Sequence, residues 1–386
     1  MSLNVIHTES ATGLGGEEFR VLAEVGDLTG RGHQVVLVVQ PDSQLQVLAR
    51  KQGLNVETVL MGKLAYPRAI RALVRLINRY HIDIVHTHGS RDSWIAATAG
   101  RLSRRKPVVI RTRHKSVPVA DTLLNRILYT RLTDRIITAG ERVRQNLIVH
   151  NRIDGSRITS IPTGVNLRVF YPQPDDGTVR EELGIRRHEF LVGMVSFLRD
   201  YKGYIYYIEA AKLVLAKSPV ARFLIIGDGP EKEVLRERIA HLGLTGKVVM
   251  TSHRDDIPRI LSALDLFVLT SIAGEGVPQV ITQALAMEKP VVATNVGAID
   301  EVVIDGQTGL LVPPGDPAAV CAKILFLMRD REWGKRLAAT GRRLIEERYD
   351  AQQMFDRLYT LYADALAARR DGSDRMREAP EENIAL

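Results

Sequence analysis

LFVLTSIAGEGVPQVITQALAMEKPVVATNVGAIDEVVIDGQTGLLV, residues 266–312, sets the fold class. Short apolar runs at Leu266–Leu269, Val291–Ala293 and Leu310–Val312 alternate with longer stretches between them. That alternation is the pattern of a parallel sheet with crossover helices. Pro278 stands where a helix would start, pre-set in φ and lacking only an N–H that the helix would not use.

The same rhythm runs outward in both directions. Behind it lie Leu191–Met194, Phe223–Ile226 and Val248–Met250; the first half adds Leu3–Ile6, Val35–Val39, Ile82–Val85, Val108–Ile110, Ile136–Thr138 and Ile158–Ile161. Six strands in each half predict an α/β protein of two doubly wound, Rossmann-like domains facing across a cleft. The stretch FYPQPDDGTV (170–179) is a turn-rich linker. The domains are therefore read as 1–170 and 171–350. A helix over 351–369 is expected to pack back on the first domain, and 370–386 reads as a disordered tail.

A length of 386 residues suits two domains, and 45% hydrophobic with 25% charged residues suits a globular protein. One cysteine, Cys321, excludes an internal disulfide and any multi-cysteine zinc site. No apolar run approaches the roughly 20 residues of a membrane span, and the start lacks a signal-peptide pattern. The protein is read as neither secreted nor integral, and its expected place is the cytoplasm. Residues 1–170 carry 25 Lys and Arg against 13 Asp and Glu, while the remainder is mildly acidic. A basic first half fits nucleic acid, an acidic membrane surface or a phosphorylated substrate. Nucleic acid is set aside, because interleaved aromatics and a recognition motif are lacking.

Ligands of such sheets bind at the carboxyl ends of the strands, so the loops there carry the candidates. After the first strand, Gly15 and Gly16 would let backbone amides approach an anion at a helix start. Glu18 stands where a dinucleotide fingerprint needs a small residue, which removes NAD. Arg199 and Lys202 lie in a short loop where two cations could reach a diphosphate. Glu275 and Gly276 hang before the Pro278 helix, with the amides of Val277, Gln279 and Val280 at its open end and Gln283 further in. A carboxylate there fits either a ligand contact or a plain capping charge. His114, among Arg111, Arg113 and Lys115, fits either a substrate hydroxyl or the surface. His86 and His88 follow a strand, but no third ligand type clusters beside them, and no Asp-x-Asp pair follows a strand. No metal is expected.

Taken together and in order, these segments resemble a family-4 retaining glycosyltransferase of the GT-B fold. The resemblance spans about residues 1–350. It rests on Gly15-Gly16-x-Glu18, DIVHTHG (83–89), IPTGVNLRVFYP (161–172), Lys202-Gly203, IIGDGPE (225–231), RDDIPRILSALDLFVLTS (254–271), the Glu275 helix and DGQTGLLVPPGDP (305–317). It implies transfer of a sugar from a UDP- or GDP-sugar to a hydroxyl, with retention, and with no metal or cofactor. It also implies roles: Glu275 for the donor sugar, the amides of Val277, Gln279 and Val280 for sugar and phosphate, Lys202 for the diphosphate, and Gly15–Gly16 as a closing loop. The segment at Ser252–Arg254 would border the base, and His114 matches the family's cleft histidine. Three positions depart from the pattern: Gln283 for the second acid, Phe197 for an arginine that Arg199 would replace, and Thr163 for an asparagine.

The expected activity is a hexosyltransferase acting on a cell-envelope glycan or glycolipid, of lipopolysaccharide type. Arg68, Arg71, Arg75 and Arg79 recur at helical spacing and fit either anionic lipid on the inner face of the cytoplasmic membrane or solvent. Two other functions keep the fold: a non-catalytic nucleotide-sugar-binding partner, to which Phe197 and Gln283 point, and a sugar-nucleotide epimerase.

Overall fold

The computed structural model describes residues 2–378 apart from Lys115, and of Lys63 and residues 371–378 the backbone alone. The strands are β1 (Asn4–Glu9), β2 (Gln34–Val39), β3 (Val56–Thr58), β4 (Ile84–Thr87), β5 (Val108–Arg113), β6 (Arg135–Thr138), β7 (Ile158–Ser160), β8 (Phe190–Val195), β9 (Ala221–Ile226), β10 (Val248–Thr251), β11 (Leu266–Leu269), β12 (Val291–Thr294) and β13 (Leu310–Val312). They form a seven-stranded sheet ordered β3-β2-β1-β4-β5-β6-β7 and a six-stranded sheet ordered β10-β9-β8-β11-β12-β13. Every pairing within them is parallel.

These are two doubly wound domains, with one strand more than expected. β3 was missed because it is a three-residue edge, Val-Glu-Thr, paired on one side only and holding no apolar run. The strand order reverses beside β1 and β4 in the first sheet, and beside β8 and β11 in the second. Crevices open at those switch points, so the loops after these four strands form the walls of the site.

The second domain has one continuous core. The first is finished by the far end of the chain. Met354, Leu358, Leu361, Tyr362 and Ala365 of the C-terminal helix pack with Val5, Val21, Leu37 and Ile84. That helix spans Ala351–Glu378, so residues 370–378 are helical where a disordered tail was expected. The first proline after its start is Pro380, and nothing earlier removes a helical hydrogen bond. Residues 379–386 of the expected tail lie outside the described residues.

The two passages between domains cross at Gly164. Val165 N–H donates to the Tyr349 carbonyl at 2.7 Å, and Ala351 N–H donates to the Val165 carbonyl at 2.9 Å. A Cβ on Gly164 would lie 2.5 Å from Ala351 Cα, so the crossing requires glycine. A further tie joins the domains at Glu301, whose carboxylate accepts from the amides of Glu141 and Arg142 at 2.9 and 2.7 Å. Asp300 beside it pairs with Arg142.

Candidate functional site

The loops after β8 and β11 are stitched together before any side chain is considered. Gly203, at φ 68°, lies so close to Thr270 that a Cβ would stand 2.0 Å from its carbonyl oxygen. Ile272 N–H donates to the Tyr201 carbonyl at 2.8 Å, and Thr270 Oγ1 donates to the Gly203 carbonyl at 2.9 Å. This clamp brings Lys202 Nζ to 2.6 Å from Glu275 Oε1. Ser271 Oγ donates to the same carboxylate oxygen at 2.5 Å. Sequence reading placed Lys202 and Glu275 in one site but missed Ser271, a common residue with no local signal.

Glu275 is also fixed through its backbone. Its carbonyl accepts from Ser116 Oγ in the first domain and from Ala298 N–H at 3.3 Å. Gly297, at φ 62°, approaches that carbonyl so closely that a Cβ would stand 2.0 Å away. Gly276 packs on the His114 carbonyl, where a Cβ would lie at 2.7 Å. The helix Gln279–Ala286 begins after Pro278, whose carbonyl accepts from Ile281 and Thr282. The amides of Gln279 and Val280 precede those bonds and stand at the helix's positive end. Val277 is buried, Val280 and Gln283 are half-buried, and the Gln279 side chain donates to the Gly16 carbonyl at 3.0 Å. Glu275, Gly276 and Gln279 thus touch Ser116, His114 and Gly16 of the opposite domain.

Three candidates sit differently from expectation. Gly15 N–H does not face an open anion site; it donates to Glu18 Oε2 at 2.7 Å, closing a capping box on its own helix. Arg254, in the segment expected to border the base, is not a free cation. Its guanidinium is shared between Asp256, at 2.8 and 2.7 Å, and Glu182, so four carboxylate oxygens hold it. Arg199 is exposed and lies over the Phe197 ring, 4.9 Å from its centroid, a weak cation–π contact. Lys115, one of the cations flanking His114, lies outside the described residues.

Across the cleft the ends of β1 and β4 carry groups that sequence reading left out. Glu9 is buried, and burial together with neighbouring Asp92 pushes its carboxyl up to about 10. Its Oε1 accepts from Ala11 N–H at 2.8 Å, while Oε2 finds no partner among the described residues. Asp92 accepts from Thr8, Ser10 and the amides of His88 and Gly89, joining both loops. Arg111, buried at the end of β5, stacks 4.5 Å over the Tyr129 ring.

His86, inside β4, and His88, just after it, are not alone, contrary to expectation. β1 and β4 pair in register His7↔His86, and Glu24 of the helix Gly16–Gly30 projects under both. Ligand atoms of His7, Glu24, His86 and His88 lie within 4.8 Å of one another, a set that could hold a metal ion. Each imidazole nitrogen facing Glu24 already has a protein partner. Glu24 itself is bonded by Arg20 Nε at 2.7 Å. Arg20 also donates to the Ile161 carbonyl and to Thr163 Oγ1, which gives the unusual Thr163 a partner. Burial holds His86 and His88 well below the usual histidine range and His7 at about 3.

No helix among the described residues is long and apolar enough to cross a membrane. Residues 14–169 match the family described as Glycosyltransferase Family 4, and residues 175–344 match Glycosyl transferases group 1. The UDP-Gal:alpha-D-GlcNAc-diphosphoundecaprenol alpha-1,3-galactosyltransferase of Escherichia coli is 28% identical over 310 residues, 77% of this chain and 79% of that one. The N-acetyl-alpha-D-glucosaminyl L-malate synthase of Bacillus anthracis is 25% identical over 309 residues, 78% and 79% of the two chains. Among solved structures, Anabaena HepE in complex with UDP and glucose superposes with a TM-score of 0.85. That match covers 94% of this chain and 100% of HepE at 20% identity, a likeness of fold.

Proposed function

The chain belongs to the family-4, group 1 glycosyltransferases of GT-B fold, and from this we propose that it moves a hexose from a UDP- or GDP-sugar to a hydroxyl of a cell-envelope glycan or glycolipid. The observation that carries the reading is the meeting of Lys202 and Glu275 between two facing switch points. In this proposal Lys202 leaves Glu275 to neutralise the departing diphosphate, and Arg199 swings from Phe197 to join it. The freed carboxylate and the amides of Val277, Gln279 and Val280 orient the sugar. Stabilising the charge that builds on the leaving group is the largest single contribution in many enzymes.

The acceptor oxygen would attack from the leaving-group side, which retains the anomeric configuration without a protein nucleophile. No metal takes part in the proposed step, since the lysine and helix amides supply the positive potential. The glycan class is supported by the E. coli relative, whose name specifies an undecaprenol-linked acceptor. Arg68, Arg71, Arg75 and Arg79 are exposed on one helix, opposite buried Ala69, Leu73 and Ile77. Fully exposed Leu64 lies just before that helix. A basic helix beside an exposed leucine suits an anionic bilayer surface where a lipid-linked acceptor would reside.

Isothermal titration of the full chain with UDP and with GDP is the first test. Binding of either in the micromolar range is expected. Heat from neither, nor from any other nucleoside diphosphate, removes the reading.

A further inference from the structure

An unbroken file of hydrogen bonds leads from the interior of the first domain to the cleft. Thr112 Oγ1 and His86 Nε2 are 2.6 Å apart, and His86 Nδ1 lies 2.7 Å from the Tyr362 hydroxyl. That hydroxyl lies 3.1 Å from His7 Nε2. His7 Nδ1 is 3.0 Å from His88 Nε2, and His88 Nδ1 is 3.2 Å from His114 Nε2. The three interior histidines and Tyr362 are buried.

A neutral imidazole has one N–H and one lone pair. The burial that lowers these histidines keeps them neutral near pH 7. Neutral rings joined in single file, with one hydroxyl among them, allow two proton arrangements, each the reverse of the other. In the first, His86 Nδ1–H donates to Tyr362, Tyr362 to His7 Nε2, His7 Nδ1–H to His88 Nε2, and His88 Nδ1–H to His114 Nε2. In the second every donor and acceptor is exchanged.

Glu24 distinguishes the two. Its Oε2 finds no hydrogen-bond partner among the described residues and lies 3.9 Å from each of His7 Nδ1, His86 Nδ1 and His88 Nε2. Burial pushes the Glu24 carboxyl up, but Arg20 on its other oxygen pulls it back, and a guanidinium does not give up its proton. The Arg20 guanidinium, 2.7 Å from Oε1 and permanently charged, pairs with Glu24 as the carboxylate anion. The first arrangement turns two N–H groups and one lone pair toward Oε2; the reverse turns two lone pairs and one N–H. An anion in a low-dielectric interior favours the first.

We propose that Glu24, acting through His86 and, by way of Tyr362, His7 and His88, fixes His114 as the tautomer that accepts at Nε2 and carries its proton on Nδ1. Glu24, His86, Tyr362, His7 and His88 are positioning residues for the cleft histidine. Its use as a hydrogen-bond donor to a sugar hydroxyl rests on the proposed transferase reading; its tautomer does not. A divalent cation among the same four residues is the competing occupant. It would have to break the His7–His88 and His86–Tyr362 bonds and sit beside the Arg20 charge.

Long-range proton–nitrogen correlation spectra of the ¹⁵N-histidine-labelled full chain, dialysed against chelator, read the tautomer directly. His114 is assigned by loss of its signals in His114→Gln. Protonated Nδ1 with an unprotonated Nε2 is expected in the wild type, and Glu24→Gln should convert it to the reverse or a mixture. Protonated Nε2 in the wild type overturns the proposal, as does an unchanged His114 in folded Glu24→Gln. So does one tightly held metal ion per chain surviving the chelator. Should Glu24→Gln not fold, Tyr362→Phe decides: it uncouples His86 from His7, so His7 and His88 turn one N–H and one lone pair toward Glu24 in either arrangement. His114 should then lose its single tautomer, and an unchanged Nδ1-protonated His114 in folded Tyr362→Phe overturns the proposal. A correct tautomer in a chain that transfers no sugar would sink the transferase reading and leave this one standing.

Discussion

Lys202 Nζ lies 2.6 Å from Glu275 Oε1, although 73 residues separate the two in sequence. Both side chains are largely withdrawn from water, so each is the other's principal neutraliser. A buried pair of this kind contributes little net stability while intact, and breaking one side leaves an uncompensated charge. In the proposed reaction the pair must be exchanged for the donor, which ties affinity to both residues.

Lys202→Ala should lower kcat/KM by about 10²–10³, the usual effect of deleting one group that stabilises leaving-group charge. Radiolabelled sugar transfer measures it, with a thermal melt to confirm that the chain folds. Turnover within threefold of wild type would remove Lys202 from the chemistry.

Gln283 offers a neutral amide where the resembled family has an acid. A charged acceptor makes a hydrogen bond about twice as strong as a neutral one. Gln283→Glu should therefore tighten donor binding by about tenfold, or ~1.4 kcal/mol. Calorimetry with the preferred nucleoside diphosphate sugar checks this. Unchanged or weaker affinity would mean that position 283 does not meet the ribose.

Stability should peak near pH 6.5. Burial lowers His7, His33, His86 and His88, so below 6.5 the unfolded chain binds protons that the folded chain refuses. Stability then falls as pH falls, by about 1.4 kcal/mol per pH unit for each such proton. Glu9, raised to about 10, and Asp92, also raised by burial, act in the opposite sense. They keep protons that the unfolded chain releases above about 4.5, so their contribution is lost as pH rises toward their folded values. Glu24 and Asp27 are raised by burial as well, but Arg20 and Arg31 pull them back toward the charged form, so the four histidines dominate below 6.5; above it the raised carboxyls act without them. Urea midpoints between pH 4.5 and 9 test the shape, and a flat or monotonic profile contradicts it.

Gly164→Ala should cost about 1–3 kcal/mol or more, because the added methyl meets backbone and not a movable side chain. Denaturant unfolding followed by circular dichroism gives the figure. A loss under ~0.5 kcal/mol, ordinary for surface substitutions, would show that the crossing strands can part freely.

Replacing Arg68, Arg71, Arg75 and Arg79 with Gln should weaken binding to vesicles containing anionic phosphatidylglycerol. At about 1 kcal/mol per cation near such a surface, the loss is on the order of 10²–10³ in partitioning. Co-sedimentation measures it. Equal pelleting of both proteins, or pelleting on neutral vesicles alone, leaves the helix a solvated face.

Much of the architecture was legible along the chain because it depends on short-range alternation. A parallel strand buried on both faces needs a local apolar run, and a crossover helix needs its own turn of glycine or proline. Twelve of the strands announce themselves this way, whereas β3 owes its existence to the unpaired edge of β2. The loop bearing Glu275 was also readable, since Pro278 marks the helix start and the free amides follow from its geometry.

Partner choice among side chains was not readable, because pairing depends on which residues folding brings together. Arg254 is held by Glu182 from 72 residues away, and no local pattern distinguishes it from a free cation. His7 and His86 become neighbours through the register of β1 on β4. Tyr362 reaches them from a helix 276 residues beyond His86 because that helix completes the first core. Residue order thus fixed the strands, the helices and the amides at their ends, through forces acting over a few residues. The protonation of the histidines and the neutralisation of Lys202 were set by the packed molecule, where excluded water makes the nearest charge decisive.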